Sequence, residues 1–317
     1  MNEVLTNLFG PELPNHSAAA IGAFDGLHLG HQHIINNTIT YAKKNSITSA
    51  AILFDPLPSI FFGRLGPNER ILLRNEQETK LRELGVDRVI FLPFSRQIAD
   101  LTPEAFLSAM QSSLHCERLV MGEDFSLGKG RTGSAAVLAK LGSSYGFNAE
   151  IITKDIMDGE VISSTRIRTL LHQGNLSQAN LLLGYPFFFS SNIIHGDARG
   201  RKLGFPTLNV KIPEEKLKLP NGVYAVYNYI DGVKYASVTN IGVRPTFGLD
   251  DKGTFVESYL LNASGNFYGE TTRLEFVEML RKEIRFESAD DLIKQINKDI
   301  EQAAQILLTP NHDRNIS

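Results

Sequence analysis

Cysteine is almost missing: Cys116 stands alone among 317 residues. That excludes an intramolecular disulfide and suits a reducing compartment. It also leaves no cysteine cluster from which a metal site could be built. No apolar run approaches the roughly 20 residues that a membrane span needs. The opening segment MNEVLTNLFG lacks the basic and then apolar stretches of a secretory signal. Charge of one sign is not in excess, because 32 Lys and Arg face 35 Asp and Glu. A net charge of −3 gives no basic footprint of the kind nucleic-acid binders show. Internal repeats and low-complexity linkers are absent as well. These absences predict a cytoplasmic protein without nucleic-acid or membrane partners. What remains is ordinary globular composition, 42% hydrophobic and 21% charged, at a length that predicts two domains.

The first half alternates strand-like and helix-like segments. Residues 18–21 and 47–54 read as buried strands, and 88–92, 118–121 and 149–152 read as further strands. Between and after them, 76–84, 134–141, 164–171 and 176–183 have helical spacing, and Thr102-Pro103-Glu104 opens a further helix. Such alternation predicts an α/β layer with a mostly parallel sheet. Near Gly184-Tyr185-Pro186 the pattern changes to short alternating strands, among them 223–230, 234–238, 255–261 and 271–276. Asp231-Gly232 marks a hairpin turn. This second pattern predicts a small barrel. A helix from Ser288 to about residue 308 closes it, with Ser288 and Asp291 placed as a capping box. The expected domains are 1–183 and 184–317.

The stretch IGAFDGLHLGHQH, 21–33, puts His28 and His31 where a strand turns into a helix. Free backbone N–H groups and the helix dipole favour an anion there. Two imidazoles added to them can hold a polyphosphate and the charge that develops on its cleavage. A helix-capping turn and half of a metal site are the other readings. Residues 128–133, GKGRTG, match GxGxxG, but outside a first strand–turn–helix unit, where the match says little. They read either as a phosphate-side loop offering Lys129 and Arg131 or as a solvated loop. Ser163, Ser164 and Thr165 start a helix, and Arg168 follows within a turn. Hydroxyls cap a helix and also bind phosphate, and guanidinium pairs with phosphate bidentately. In the second half, HGDARGRKLGFPTLN over 195–209 is a glycine-rich basic loop ending in Thr207 and Asn209. Their oxygens are hard ligands suited to Mg²⁺ held with phosphates, or simply part of a turn into an edge strand. Glu257 lies in a strand-like run with Phe255 and Tyr259 on its face. A carboxylate there either has a partner or task, or faces water from an edge strand.

Together these stretches resemble the bacterial bifunctional riboflavin kinase/FMN adenylyltransferase family, the FAD synthetases. The resemblance rests on 22–32, on Gly122-Glu123-Asp124-Phe125 and on 163–168 in the first half. In the second it rests on 195–209, on 220–224, on 240–247, and on Glu257, Tyr268-Gly269 and Leu280-Arg281. It implies a Rossmann-like nucleotidyltransferase domain of HxGH type, then a riboflavin-kinase β-barrel with a C-terminal helix. By resemblance, His28, His31 and Arg168 hold the ATP phosphates of the first half. Gly22, Phe24, Asp25, Ser164 and Thr165 belong to that nucleotide site, and Asp124 to the flavin side. Gly200, Lys202 and Gly204 would bind ATP in the second half. There Thr207 and Asn209 would ligate Mg²⁺, Glu257 would be the catalytic base and Arg281 would contact the flavin. ATP, riboflavin, FMN and FAD are the implied small-molecule partners. The chain departs from the family pattern at Ser126-Leu127, usually Arg-Phe, and at Leu57, usually His. A kinase with a weakened first domain, or a flavin-binding regulatory protein, are the alternatives to the bifunctional enzyme.

Overall fold

A computed structural model describes residues 8–196, 204–243, 254–263 and 265–308. The chain divides into two compact units. One holds 1–67 and 72–164; the other holds 68–71 and 165–317.

The first unit is built on five parallel strands. They are β1 (Ser17–Ile21), β2 (Thr48–Asp55), β3 (Arg88–Pro93), β4 (Cys116–Gly122) and β7 (Asn148–Ile152), in the order β3-β2-β1-β4-β7. Two short hairpins follow β4 and β7: β5 (Ser126–Leu127) with β6 (Gly133–Ser134), and β8 (Ile156–Met157) with β9 (Glu160–Val161). Its helices are α1 (Leu29–Asn45), α2 (Pro58–Phe61), α3 (Arg74–Leu84), α4 (Arg96–Ala99), α5 (Pro103–Leu114) and α6 (Ala135–Gly142). All five residues of β1, Ser-Ala-Ala-Ala-Ile, are buried. A parallel strand covered on both faces needs apolar residues at every position, and small ones let helices approach closely. One face packs Ala19, Ile21, Ile52 and Met121 against Phe106, Leu107 and Met110 of α5. On α1, Ile34, Ile35, Thr38, Ile39 and Ala42 are buried, as its period predicts. The α5 start also follows the sequence: Thr102 Oγ1 accepts from the Ala105 amide at 3.2 Å and Pro103 takes the first turn. In strand order, β2 lies on one side of β1 and β4 on the other. Ligand crevices form beyond such a switch point, at the C-terminal strand ends.

The second unit starts with α7 (Ser164–His172), apart from its first residue, and α8 (Leu176–Leu183). Six strands follow: β10 (Phe187–Ile194), β11 (Leu208–Lys211), β12 (Gly222–Ile230), β13 (Val233–Val243), β14 (Thr254–Leu260) and β15 (Thr271–Lys282). They close an antiparallel barrel in the order β10-β11-β14-β13-β12-β15. Closure removes the edges that an open sheet would leave unpaired. The interior holds Phe187, Phe189, Tyr224, Val226, Leu274 and Phe276, all buried. It also holds a polar cluster that satisfies itself. Asn228 Nδ2 donates to Ser237 Oγ at 2.7 Å and its Oδ1 accepts from Thr272 Oγ1 at 3.2 Å. Thr239 and Ser258 share a 2.6 Å bond. Met by partners, such groups fix strand positions instead of destabilising the core. Helix α9 (Ala289–Leu308) covers part of the outer face, with Ala303 and Leu307 against Val223, Ala225 and Val238. Ser288 caps it, accepting from the Asp291 amide at 3.1 Å while its hydroxyl donates to Asp291 Oδ2 at 2.6 Å. Asn180 of α8 joins helix to barrel: Nδ2 donates to Phe276 O at 2.9 Å and Oδ1 accepts from the Phe187 amide at 2.8 Å.

Cys116 opens β4, fully buried, and burial pushes its thiol up to about 12. We expect thiol reagents to leave the folded chain unmodified and to label it once in denaturant, as mass spectrometry would show. The direction of the shift adds a pH effect. Stability from the neutral thiol is present below the ordinary thiol range and is lost as pH rises toward about 12.

Candidate active sites

In the first unit, the turn from Gly22 to His28 joins β1 to α1. Phe24 (φ 47), Leu27 (φ 37) and Gly26 (φ 83) all have left-handed backbones. For the two side-chain-bearing residues that conformation costs energy, and a surrounding framework must hold it. The framework consists of hydrogen bonds. Gln77 Nε2 donates to Ala23 O (3.3 Å) and Phe24 O (3.1 Å), and Gln32 Nε2 donates to Leu27 O (2.8 Å). Ser164 Oγ donates to Asp25 O at 2.8 Å, while the buried Asp25 carboxylate accepts from the Leu72 amide at 3.2 Å. At Gly22, an added Cβ would lie 2.8 Å from the Phe24 ring.

His28 is the N-cap of α1, and its Nδ1 accepts from the His31 amide at 3.3 Å. The capping reading therefore holds, and it fixes chemistry too. An accepting Nδ1 makes Nε2–H the donor of the neutral ring. The two imidazoles stack with centroids 3.6 Å apart, and Phe24 meets His31 edge-on at 5.4 Å.

His31 also lines a cavity of about 400 Å³ at the C-terminal strand ends, bounded by Ile21 of β1, Phe54 of β2 and Gly122 of β4. Six phenylalanines wall it: Phe24, Phe54, Phe62, Phe94, Phe106 and Phe125. Phe54 and Phe125 lie within 17° of parallel. Its polar lining includes Asp124, Arg64 and Arg131. Asp124 is paired with Lys154 at 3.3 Å. The GxGxxG stretch is the tip of the β5–β6 hairpin, not an entry into a dinucleotide-binding helix.

In the second unit the barrel register aligns the candidate residues. Asn209 on β11 is the cross-strand partner of Glu257 on β14, and Glu257 is the partner of Asn240 on β13. Asn240 faces Val223 on β12, and Val223 faces Arg281 on β15. Asn209, Glu257, Asn240 and Arg281 thus lie along one row of the outer face. At about 4.8 Å per strand, Arg281 is three strand spacings, roughly 14 Å, from Glu257. Glu257 shares its half-buried face with Phe255 and Tyr259, while Val256, Ser258 and Leu260 point inward. Gly196 makes room for Asn209: a Cβ there would fall 2.3–2.5 Å from the carboxamide atoms. Thr207 lies beside a second cavity of about 340 Å³, with Phe267 and Tyr268 on its wall. His195 stacks on Tyr268 at 3.9 Å. Arg281 is held by the buried Asp299 of α9, through Nε at 3.0 Å and Nη2 at 2.8 Å.

Arg168 belongs to the second unit, where its Nε donates to Glu69 O at 2.9 Å. Thr165 is exposed on the first turn of α7. Gly204 has a left-handed φ of 88°, while Gly200 and Lys202 lie outside the described residues. Sequence reasoning missed Gln77, Asn240 and the phenylalanine wall. A helical glutamine gives no sign that it serves a distant carbonyl. The wall does leave one: Phe54, Phe94 and Phe125 each fall at or just beyond the C-terminal end of a parallel strand.

Two family profiles match separate stretches of the chain. The FAD synthetase family profile matches residues 11–166, and the riboflavin kinase profile matches 183–307. A bifunctional riboflavin kinase/FMN adenylyltransferase of Listeria monocytogenes is 36% identical over 88% of this chain and 89% of its own length. One from Escherichia coli is 36% identical over 88% and 89%. The chain belongs to the bifunctional riboflavin kinase/FMN adenylyltransferase family. The crystal structure of a macrolide-efflux protein from Streptococcus pneumoniae is also similar, with a TM-score of 0.84 and 30% identity over 92% of this chain and 95% of that one. Family membership favours the bifunctional enzyme over a kinase alone or a regulatory binder.

Gly196→Ala should drive the Asn209 carboxamide out of the outer row. Displacing a positioning group by about 1 Å can cost about 10²-fold in rate. We expect that loss in riboflavin phosphorylation, with adenylylation of added FMN unchanged, when the two products are separated by chromatography.

Proposed function

We propose that riboflavin is phosphorylated along the outer row of the barrel and that FMN is adenylylated at the histidine-lined cavity of the sheet. This places the adenylyltransferase domain in 1–183 and the kinase domain in 184–317, with the profile matches as support. The carrying observation is a difference in equipment. Glu257 stands between two amides on the barrel, whereas His28 caps a helix and stacks on His31 beside an aromatic cavity on the sheet.

The two reactions call for that difference. In the kinase step the attacking group is a neutral hydroxyl. Glu257 takes its proton as the oxygen bonds to the γ-phosphorus of ATP and ADP leaves. Asn209 and Thr207 supply a carboxamide and a hydroxyl oxygen. These are neutral hard donors that fit Mg²⁺ shared with the ATP phosphates, and the ion would neutralise charge on the transferred group. The Gly196 opening that seats the Asn209 carboxamide is the structural support for that fit. Gly200, Lys202 and Gly204 are assigned to the phosphates of this ATP, and Arg281 to the flavin.

In adenylyl transfer the attacking oxygen belongs to the FMN phosphate and is already ionised. It bonds to the α-phosphorus of ATP, the bond to the bridging oxygen breaks, and pyrophosphate leaves. No base is needed; alignment and donors are. His28 and His31 at the α1 N-terminus, with Ser164, Thr165 and Arg168, are assigned to the triphosphate, and Gly22, Phe24 and Asp25 to the turn that receives the nucleotide. Asp124 and the phenylalanine wall take the flavin ring system. Among the described residues no helix is long and apolar enough to cross a membrane, and a cytoplasmic setting, where ATP is supplied, fits both steps.

The test is product analysis from riboflavin and, separately, from FMN, each with ATP and Mg²⁺. Glu257→Gln should slow FMN formation by about 10²–10⁴-fold and spare FAD formation from FMN. His31→Ala should do the reverse, with FAD formation down about 10²–10³-fold. Wild-type rates in both variants would refute the assignments.

A further inference from the structure

We propose that Arg131 binds the phosphate of FMN for adenylyl transfer and gives the first-unit cavity its preference for FMN over riboflavin. The inference rests on that cavity being the FMN site.

The 128–133 loop is built to present this one side chain. Ser126 pairs with Ser134 and Leu127 with Gly133, so the loop is the turn of a two-stranded hairpin. Gly128 (φ 78) and Gly130 (φ 66) supply left-handed turns, and Arg131 itself stands at φ 61, where side-chain-bearing residues are uncommon. Its backbone is tied by its amide to Gly128 O at 3.0 Å. Its guanidinium is tied as well: Nε donates to Ser126 Oγ at 2.8 Å and Nη2 to Asp124 O at 3.1 Å. Two bonds fix the plane of a planar fork and leave Nη1 uncommitted among the described residues. A pre-oriented guanidinium loses little freedom when it meets a phosphate.

Two nearby cations, Arg64 and Lys154, are engaged. The Arg64 guanidinium lies over the Phe62 ring, 5.3 Å from its centroid, and Lys154 is paired with Asp124 at 3.3 Å. Arg131 also lines the same cavity as His31. The phenylalanine wall gives flat, neutral contact that riboflavin and FMN satisfy equally, because their ring systems are identical. They differ by a dianionic phosphate against a hydroxyl, so discrimination requires a positive donor at the cavity.

The test uses the full chain, with FAD formation from FMN and MgATP followed in Arg131→Ala and Arg131→Lys. Without this charge-assisted hydrogen bond to the substrate, KM for FMN should rise about tenfold to a hundredfold in the alanine variant. Lysine should restore part of it. KM for ATP and the riboflavin kinase rate should stay at wild-type values. Lumiflavin has the ring system, no phosphate and no hydroxyl to phosphorylate; its inhibition constant against FMN should also be unchanged. An unchanged KM for FMN in Arg131→Ala overturns the proposal. So does a parallel rise in the lumiflavin constant or in KM for ATP, which would make the effect one of shape or of the other substrate. Phe125→Ala separates the failures. If it raises KM for FMN while Arg131→Ala does not, the cavity is the flavin site and Arg131 is not its phosphate ligand. If neither variant moves it, the cavity assignment falls together with the proposal.

Discussion

The first unit turns on one local hydrogen bond, the His31 amide donating to Nδ1 of His28. The link starts helix α1 and stacks two imidazoles in a single step. It works only because the preceding turn is held in a costly backbone conformation at Phe24 and Leu27. Carbonyls of that turn, at Ala23, Phe24, Asp25 and Leu27, accept from Gln77, Ser164 and Gln32, which lie elsewhere in the chain. A turn so braced is preorganised: its donors need no rearrangement when a charged ligand arrives. Preorganisation of this kind is what makes electrostatic stabilisation effective in a transition state.

The barrel solves the same problem by register. Antiparallel pairing places residues from separate strands in one row, and a slip of one position would send Glu257 inward. Register is secured by what lies inside. Thr239 and Ser258 are cross-strand partners joined by a hydrogen bond, one position along from the Asn240–Glu257 pair. Satisfying those buried hydroxyls requires the register that aligns the outer carboxylate with Asn240. The inner polar cluster and the outer row are therefore two consequences of one pairing, and a change that misaligned either would disturb both.

Much of this is legible in the sequence. The α1 stripe from Ile34 to Ala42, the Thr102-Pro103 start of α5, the Ser288 cap and the Asp231-Gly232 turn are local signals, and each is carried by residues close together in the chain. His28 shows its position there but not its double duty, because capping and ligand binding use the same residue type at the same place. Asn240 is silent because its importance lies in a neighbour on another strand. Gln77 is silent because its partners lie more than fifty residues away. The phenylalanines are individually ordinary apolar residues, and only the parallel order of β1, β2, β3 and β4 collects them at one end of the sheet. Local chemistry can be read from sequence, and long-range assembly cannot.

The treatment of arginine separates the two sites. Arg281 gives Nε and Nη2 to Asp299 and Nη1 to Lys282 O at 3.1 Å, so most of its hydrogen-bonding capacity is already used. Its charge is matched by a buried carboxylate, and what it can still offer a flavin is its planar face. A neutralised arginine suits riboflavin, which carries no charge and gains nothing from an open cation. Among the described residues Arg131 is anchored to neutral oxygens, those of Ser126 and the Asp124 backbone, with no carboxylate paired to it. That suits FMN, whose phosphate is both the recognition element and the nucleophile. On the proposed assignment, each arginine is balanced for the charge of the flavin it meets. One phosphorylation separates the two flavins, and it also separates a site that must not pay to bury a bare cation from one that needs it.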